Sequence, residues 1–381
     1  MHVSSSDQCC RYEGRVVHGG DSGARFDWPL VAVSIRVRCL VAGPVAVLLD
    51  GAANRFSASV RSEDGWDPTV DHHAVFTAAS PGTVKVVVIG HIPGQGVFTL
   101  RLRKLTEPSH SGVPRLGGCL GRALGMQGVA CFRGWQLPEG STALPPAARC
   151  PRRIEMLGGS DTCGFGADLA AGRNLCSALV RNEVHNAELC YSAQLARRLR
   201  AEVHVVAWSG KGVVQNAFHC CGVFGREPLP ALLGRALATS PEARWHFGWV
   251  PHLVLIDCGG NDYNNVPPTP EERFVSGYLA MLTDLRSRYP EARLPPLHPR
   301  RGPRLHSPPH SSSTRPSHPT RPGAATQHLR RVDAIRPPEE QGGRTGRACG
   351  PPVCGCARGL CRGAHRPGLR RRRARSLWAP Q

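Results

Sequence analysis

Short runs of alternating or continuous apolar residues dominate the N-terminal part of the chain. Residues 30–38, 45–49 and 97–103 show this pattern, and turn-forming Asp-Gly and Pro-Gly pairs separate such runs. Strands of this length between frequent turns indicate an antiparallel sandwich or jelly roll. The pattern therefore predicts an all-β domain over residues 13–105, preceded by an N-terminal tail over residues 1–12.

The hydrophobic period changes after a segment rich in Gly and Pro, residues 106–150, which we interpret as an ordered connector. Beyond it, strand-like apolar runs alternate with segments that have a helical period. The strand-like runs are residues 152–157, 203–208 and 251–258, and the helix-like runs are residues 183–200, 229–237 and 271–289. This alternation predicts an α/β domain over residues 151–292, built on a doubly wound parallel sheet whose active site lies beyond the carboxyl ends of the strands.

Hydrophobic patterning stops near Arg293. Residues 293–381 contain 15 Pro and 19 Arg but no Lys, so they cannot bury a core, and we expect a disordered tail. With three acidic residues, this tail carries +16 of the total net charge of +20, which leaves about +4 for the rest of the chain. The charge therefore argues against nucleic-acid binding by the folded part. The arginine run 370–373 keeps a nucleic-acid-binding tail as an alternative.

The 16 cysteines are irregularly spaced in a long chain, which favours free thiols over a disulfide framework. Cys349, Cys354, Cys356 and Cys361, with His365, lack the spacing of a zinc site, so no metal or other cofactor is expected. No signal peptide is evident, and no apolar run reaches the length of a membrane span. We expect a soluble protein that does not enter a membrane, and its compartment and oligomeric state stay open.

The candidate chemistry centres on a serine after the first strand of the α/β domain. The apolar run 152–157 ends at Gly158 and Gly159, and Ser160 follows. Glycines allow the sharp turn that lifts a serine clear of a strand, so Ser160 is a candidate nucleophile. A structural interpretation, in which Ser160 only caps the next helix, stays open at this point.

Two further strands end in turns with small or amide side chains. Gly210 follows the run 203–208, and Asn261 follows the run 251–258. Because parallel strands end at the same edge of a sheet, we expect Ser160, Gly210 and Asn261 to converge there. Structural alternatives are a plain strand-end glycine for Gly210 and an ordinary turn residue for Asn261.

These three turns resemble the sequence blocks of the SGNH (GDSL-type) hydrolases and, more narrowly, of carbohydrate esterase family 2, in which a jelly-roll domain precedes the SGNH domain. The blocks read Gly158-Gly159-Ser160-Asp161-Thr162-Cys163-Gly164, Ala207-Trp208-Ser209-Gly210-Lys211-Gly212 and Gly259-Gly260-Asn261-Asp262. The resemblance covers residues 13–292. It implies that Ser160 is the nucleophile of an ester hydrolase, that the N–H groups of Ser160 and Gly210 form an oxyanion hole with the Asn261 side chain, and that the substrate is an acetylated carbohydrate or another small ester.

The chain departs from the family pattern in two respects. Gly159 stands where the family has an aspartate that braces the loops around the site. The D-x-x-H block that supplies the family's catalytic base is not found, so the base is unknown. The histidines beyond residue 293 are His298, His306, His310, His318, His328 and His365. Without a histidine, Ser160 remains largely a neutral hydroxyl and a poor nucleophile.

Three functions are consistent with these residues. The first is an O-acetyl carbohydrate esterase by descent, inactive or weakly active as written. The second is a non-catalytic relative whose β domain binds glycan, and the third is an arginine-rich nucleic-acid-binding protein. A separate hypothesis is that the reading frame or exon choice goes wrong near Arg293. It fails if neither alternative frame of the coding DNA gives an apolar strand followed by D-x-x-H.

Overall fold

Strands make up the N-terminal part of the protein. The computed structural model describes residues 1–63, 65, 72–78, 82, 84–108, 128–169, 184–217, 225–265 and 267–295, all within one unit, Met1–Ser307. The strands up to residue 144 are β1 (His2–Ser4), β2 (Arg11–Glu13), β3 (Val17–His18), β4 (Ala24–Phe26), β5 (Ala32–Cys39), β6 (Gly43–Asp50), β7 (Arg55–Ser62), β8 (His72–Thr77), β9 (Lys85–Ile92), β10 (Gly96–Lys104), β11 (Ala130–Gln136) and β12 (Thr142–Leu144).

These strands form two antiparallel sheets. The first has the order β3-β4-β11-β6-β9 with β1 against β11, and the second has the order β12-β5-β10-β7-β8 with β2 against β5. In β10 the apolar residues Phe98, Leu100 and Leu102 are buried, and the polar residues between them are half-exposed, as the two-residue period of a strand requires. The all-β prediction for this region agrees with the two sheets, and the jelly-roll connectivity stays a prediction.

Two segments outside residues 13–105 also join the sheets. The segment 1–12 supplies β1 and the start of β2, and the segment interpreted as a connector supplies β11 and β12. Strand β11 lies in the middle of the first sheet, where Phe132 and Trp135 are fully buried. These two aromatic side chains give the segment the apolar surface that a central strand needs.

The remaining described elements form the α/β part of the chain. In order they are β13 (Arg152–Gly158), α1 (Ser160–Cys163), a 3₁₀ turn (Ala187–Leu189), α2 (Tyr191–Leu199), β14 (Ala201–Ala207), a second 3₁₀ turn (Leu229–Leu232), β15 (Arg235–Leu237), β16 (Ser240–Arg244), β17 (Leu253–Asp257), α3 (Gly260–Tyr263) and α4 (Glu271–Arg288). Strands β14, β13 and β17 form a parallel sheet in that order. The α/β prediction holds for these strands, and the doubly wound arrangement stays a prediction.

The register of the parallel sheet brings three strand ends together. Gly158 at the end of β13 pairs with Ala207 at the end of β14 and with Asp257 at the end of β17. The turns that follow these strands therefore start from the same edge of the sheet. At the first residue of β17, Leu253 forms an isolated parallel bridge with Arg293. The Arg293 N–H donates to His252 O at 2.9 Å, and the Arg293 carbonyl accepts from Val254 N at 2.9 Å.

The helix predicted over residues 229–237 is wrong. Residues Leu229–Leu232 form only a 3₁₀ turn, and β15 then pairs with β16 in a hairpin. Pro228 and Pro230 start a single turn and Gly234 ends it, and the Asp27 carboxylate then accepts N–H bonds from Ala238 and Thr239 at 2.9 and 3.0 Å. A long-range contact thus overrides a short apolar run.

A buried ion pair connects the sandwich to β13. The Arg15 guanidinium lies 2.8 Å from Glu155 Oε1, and both side chains are about 1% exposed. Arg15 also donates to the carbonyls of Leu233 and Arg235 at 2.6 and 2.8 Å, so its charge is well solvated by protein oxygens. The strand that carries the serine turn is therefore fixed against the sandwich.

The disordered-tail prediction for 293–381 lies almost wholly outside the described residues.

Candidate active site

The serine turn needs glycine on both sides of its short helix. A Cβ on Gly158 would lie 2.0 Å from Thr162 Oγ1 and 2.9 Å from Asp257 O, so no side chain fits there. Gly164 ends α1 with a φ of 80°, and a Cβ on it would lie 2.5 Å from Asn186 O. Between them, Ser160 is the first residue of α1 and is half-buried. Its N–H therefore has no acceptor within its own helix.

The turn after β14 lies beside the serine turn. Trp208 N donates to Gly158 O at 3.2 Å, which continues the pairing with β13 one residue past the end of β14. Gly210 then takes a φ of 74°, a left-handed conformation that favours glycine. Its carbonyl accepts from Ala217 N at 2.8 Å. The turn at Gly210 is thus held by the Trp208 bond before it and by the Ala217 bond to its own carbonyl.

Asn261 connects the third turn to the other two. It lies in α3, directly after β17 and Gly259, which has a φ of 123°. Its Nδ2 donates to Lys211 O at 2.9 Å, and the same atom lies 2.9 Å from where a Cβ on Gly159 would stand. The structure therefore brings the turns of Ser160, Gly210 and Asn261 into mutual contact.

Asp262 fixes the loop that follows Gly210. Its carboxylate is fully buried and accepts N–H bonds from Val213, Val214 and Gln215 at 2.8 to 2.9 Å. Burial raises the pKa of Asp262, and the three backbone donors oppose that rise. The sequence identifies Asp262 only as a turn residue, because its three donors come from a distant loop.

Trp208 packs against the hydrophobic core. Lys211 Nζ lies 4.7 Å from the centre of its ring and donates to Glu227 O at 2.8 Å. Burial lowers the pKa of Lys211 to about 8. This lysine therefore connects the turn after β14 to residue 227 rather than extending into solvent.

Glu107 is the site residue that sequence reasoning missed. It lies three residues beyond β10 and is 1% exposed, and its Oε2 accepts from Ser209 N at 2.6 Å and from Cys163 Sγ at 3.1 Å. It therefore touches both the turn that contains Gly210 and the helix that begins at Ser160. Burial and the Glu107 charge raise the pKa of Cys163 well above its ordinary value, so this thiol stays protonated. The sequence Lys104-Leu105-Thr106-Glu107, which closes the sandwich, also resembles the family, and that resemblance is the signal that could have found this residue.

The two buried histidines of the α/β part have other contacts. His185 Nδ1 lies 3.8 Å from Glu107 Oε1, and its ring meets Phe165 edge-on. His204 stacks on Trp249 at 3.5 Å, and burial lowers its pKa well below the ordinary value. The six histidines beyond residue 293 lie outside the described residues, so the catalytic base is not located.

The other sequence predictions concern metals, thiols and membranes. Across the described ranges, no group of three or more His, Cys, Asp or Glu side chains has the arrangement of a metal site. The cysteines at 349–361 and His365, which lack the spacing of a zinc site, lie outside those ranges. The eight cysteines within those ranges are all free, three buried and five half-buried. None of the helices that the structure describes combines the length and apolar character of a membrane span.

Comparison with known proteins supports the resemblance seen at the three turns. No family model matches the chain. It is 31% identical over 170 residues to the cellulase/esterase CelE of Acetivibrio thermocellus, a match covering 44% of this chain and 19% of that protein. It is 24% identical over 297 residues to the acetylxylan esterase / glucomannan deacetylase of Cellvibrio japonicus, covering 76% of this chain and 71% of that protein.

A solved structure shows the same fold. The family two carbohydrate esterase from Clostridium thermocellum, in complex with cellohexaose, superposes with a TM-score of 0.60 and 22% identity, covering 75% of this chain and 76% of that chain. The predicted resemblance to carbohydrate esterase family 2, whose members have an SGNH domain, is confirmed.

Proposed function

We propose that this chain carries the active site of an SGNH-type ester hydrolase that removes O-acetyl groups from carbohydrates. The observation that carries the proposal is the position of Asn261 Nδ2, which donates to Lys211 O at 2.9 Å and lies 2.9 Å from where a Cβ on Gly159 would stand. It joins the three turns that the family pattern assigns to the nucleophile and the oxyanion hole. The names of the acetylxylan esterase and the cellulase/esterase relatives support the substrate class.

In the proposed reaction, Ser160 Oγ attacks the carbonyl carbon of the acetyl group and a base takes the hydroxyl proton. The carbonyl oxygen becomes an oxyanion, which accepts hydrogen bonds from the N–H of Ser160, the N–H of Gly210 and the Asn261 amide. Collapse of this intermediate breaks the bond to the sugar oxygen, which receives the proton. Water then cleaves the acetyl-serine by the same steps. Removing one such donor typically slows acyl transfer about 10²–10³-fold.

No catalytic base is located among the described residues, and this limits the rate expected of this chain. No D-x-x-H block is found in the sequence, and the histidines of the tail lie outside the described residues. We therefore expect little hydrolysis of 4-nitrophenyl acetate by the chain as written. A rate well above buffer that disappears in Ser160→Ala would contradict this expectation.

Chemical rescue tests the site independently of the base. Imidazole added to the solution can take the proton that a histidine would take, so acetate release from acetylated xylo-oligosaccharides should rise with imidazole concentration. The rise should be absent in Ser160→Ala and about 10²–10³-fold smaller in Asn261→Ala. The control Ser287→Ala, on the exposed face of α4, should keep the full rescue. Equal rescue with Ser160→Ala would refute Ser160 as the nucleophile.

A second candidate function is glycan binding without catalysis. It is favoured because no catalytic base is located in the part of the chain that the structure describes, and a relative of the same fold is solved with cellohexaose bound. Here the sandwich would bind the glycan while the α/β part acts as a scaffold. Cellohexaose binding that persists in Ser160→Ala, together with no imidazole-dependent acetate release from the unaltered chain, would select this function.

The third candidate, nucleic-acid binding, rests on the arginine-rich tail alone. Filter binding of RNA in about 0.1 M salt, with and without residues 293–381, tests it. Equal retention of RNA by the two chains would eliminate it.

A further inference from the structure

The outward face of the second sheet alternates guanidinium and hydroxyl groups. Strand β10 lies between β5 and β7, and its polar residues pair across to polar residues of β7. The cross-strand pairs are Thr99 with Arg61, Arg101 with Ser59, and Arg103 with Ser57. Each of these three arginines therefore lies opposite a serine or threonine hydroxyl, so that guanidinium and hydroxyl groups alternate across β7 and β10.

This face is the floor of a cleft, here called the arginine cleft. Residues of β7, β8 and β10 line it on one side, and Glu188 and Arg197 of the α/β part line it on the other. Its volume is about 400 Å³, within the range of about 300–1,000 Å³ that is usual for small-molecule sites. A ligand in it would contact both parts of the protein.

The arginine cleft has an excess of positive charge. Arg103 lies 2.6 Å from Glu188 Oε1, and Arg101 pairs with Glu13. Arg61 and Arg197 have no carboxylate partner among the described residues, and Arg197 donates only to the Glu188 backbone carbonyl at 2.9 Å. Thr99 Oγ1 donates to Glu63 Oε1 at 2.6 Å, but that carboxylate is already paired with Arg36. Arg61 and Arg197 therefore leave a net charge of +2, which an anion in the cleft would balance.

Two buried donors on the floor lack acceptors. The Nε atoms of Arg101 and Arg103 are inaccessible to solvent, and no atom of the described structure accepts a hydrogen bond from either. The Nε atoms of Arg11, Arg15 and Arg133 lack acceptors in the same way outside the cleft. The excess of positive charge at Arg61 and Arg197, rather than these enclosed atoms, therefore points to a ligand that supplies oxygen acceptors.

We propose that the arginine cleft binds an acidic glycan, with a uronate carboxylate on its arginines and sugar hydroxyls on Ser59 and Thr99. Carboxylates match the planar fork of arginine, which binds them through two parallel hydrogen bonds. The interleaved hydroxyls suit a partner that is itself rich in hydroxyl groups. No Phe, Tyr or Trp occurs among the described residues that line the cleft, whereas proteins that bind single-stranded nucleic acid usually stack bases on aromatic rings. The site does not involve Ser160, so it is independent of the proposed esterase activity.

Calorimetric titration of the full chain with trigalacturonic acid tests the proposal. Its trimethyl ester is a neutral glycan of almost the same shape. A uridine trinucleotide is an anion that belongs to the nucleic acids rather than to the glycans. At about 0.15 M salt, the acid should bind at least about tenfold more tightly than the ester or the trinucleotide. In the variant Arg61→Gln/Arg197→Gln, the affinity for the acid should fall at least about tenfold.

A matched control separates the arginine cleft from the general positive charge of the chain. Arg38 lies on the same sheet and Arg198 on the same helix, and both are exposed outside the cleft. The variant Arg38→Gln/Arg198→Gln should bind the acid as the unaltered chain does. An equal loss in both variants, equal affinity for acid and ester, or tight trinucleotide binding that depends on Arg61 and Arg197 would each overturn the proposal. Absence of binding by the acid would overturn it as well.

Discussion

The Glu107 carboxylate accepts a 2.6 Å hydrogen bond from the backbone N–H of Ser209, and this bond joins the end of the sandwich to the turn that contains Gly210. The same oxygen accepts from the Cys163 thiol, one turn after Ser160. Lys104 Nζ in turn donates to the backbone carbonyls of Thr106 and Glu107 at 2.5 and 3.0 Å. A buried polar network from the sandwich therefore supports two of the three turns of the candidate site.

Removing the Glu107 carboxylate should destabilise the protein strongly. In Glu107→Ala the Ser209 N–H loses its acceptor in a buried place, which typically costs about 1–3 kcal/mol, and more where a charge is involved. Urea unfolding should show a clearly lower midpoint than for the unaltered chain. Glu107→Gln, which keeps an oxygen acceptor, should lose less stability.

The matched control is Glu63→Ala, which breaks the half-exposed ion pair with Arg36 and should cost at most about 1 kcal/mol of stability. Equal midpoints for Glu107→Ala and Glu63→Ala would contradict the prediction.

Gly158 should tolerate no side chain. Its Cβ would lie 2.0 Å from Thr162 Oγ1, and overpacking of this kind typically costs about 1–3 kcal/mol. Gly158→Ala should therefore lower the urea midpoint. Gly260→Ala is the control, because nothing lies within 4 Å of its Cβ position and alanine favours the helix that begins there. If Gly158→Ala unfolds at the same urea concentration as Gly260→Ala, the close turn described for β13 is wrong.

The sequence alone locates the turns of the candidate site. Ser160, Gly210 and Asn261 each follow an apolar run that ends in small residues, and such signals are local. Because β13, β14 and β17 are parallel and in register, the three turns meet as the alternation of strands and helices predicts. Short-range patterns therefore suffice for the parts of the site that stand at strand ends.

The supporting residues escape sequence reasoning because their partners are distant in the chain. Glu107 contacts a backbone N–H 102 residues away, and Arg15 pairs with Glu155 140 residues away. A glutamate or arginine carries no local sign of such burial, since most of these residues are exposed. The same reason explains the error at residues 229–237, where Asp27 holds the segment after β15 from more than 200 positions away.

Stability should rise with pH between about 7 and 10.5 because of Lys104. Burial lowers the pKa of this fully enclosed lysine from 10.5 to about 7, although the Asp27 and Glu107 charges oppose the change. Between these pH values the unfolded chain holds a proton that the native protein does not, so raising the pH favours the native state. Below about pH 7 both states are protonated, and the native protein bears the full cost of the buried charge.

The measurement is the unfolding midpoint at about pH 6.5 and about pH 9.5. Lys104→Met should reduce the rise in midpoint between these two values, because it removes the titrating group. Lys85→Met, at the exposed start of β9, should leave the rise unchanged. An undiminished rise in Lys104→Met would show that Lys104 is protonated to the same extent in both states.

Restoring an acidic residue at position 159 should improve the rescued reaction. Gly159 has a φ of −103° and a ψ of −142°, so it does not use the positive-φ region that favours glycine, and a Cβ there would stand 2.9 Å from Asn261 Nδ2. The Asn261 side chain would have to move by a few tenths of an ångström, and the new carboxylate could then accept a hydrogen bond from its amide. A donor that is held in place stabilises the oxyanion more than a mobile donor does. Imidazole-dependent acetate release should therefore increase several-fold in Gly159→Asp. Gly159→Ala fills the same space without an acceptor and should not increase it. An increase in acetate release in both variants would mean that filling the space, rather than bracing Asn261, is responsible. No increase in Gly159→Asp would mean that the Asn261 amide already stands where the oxyanion forms.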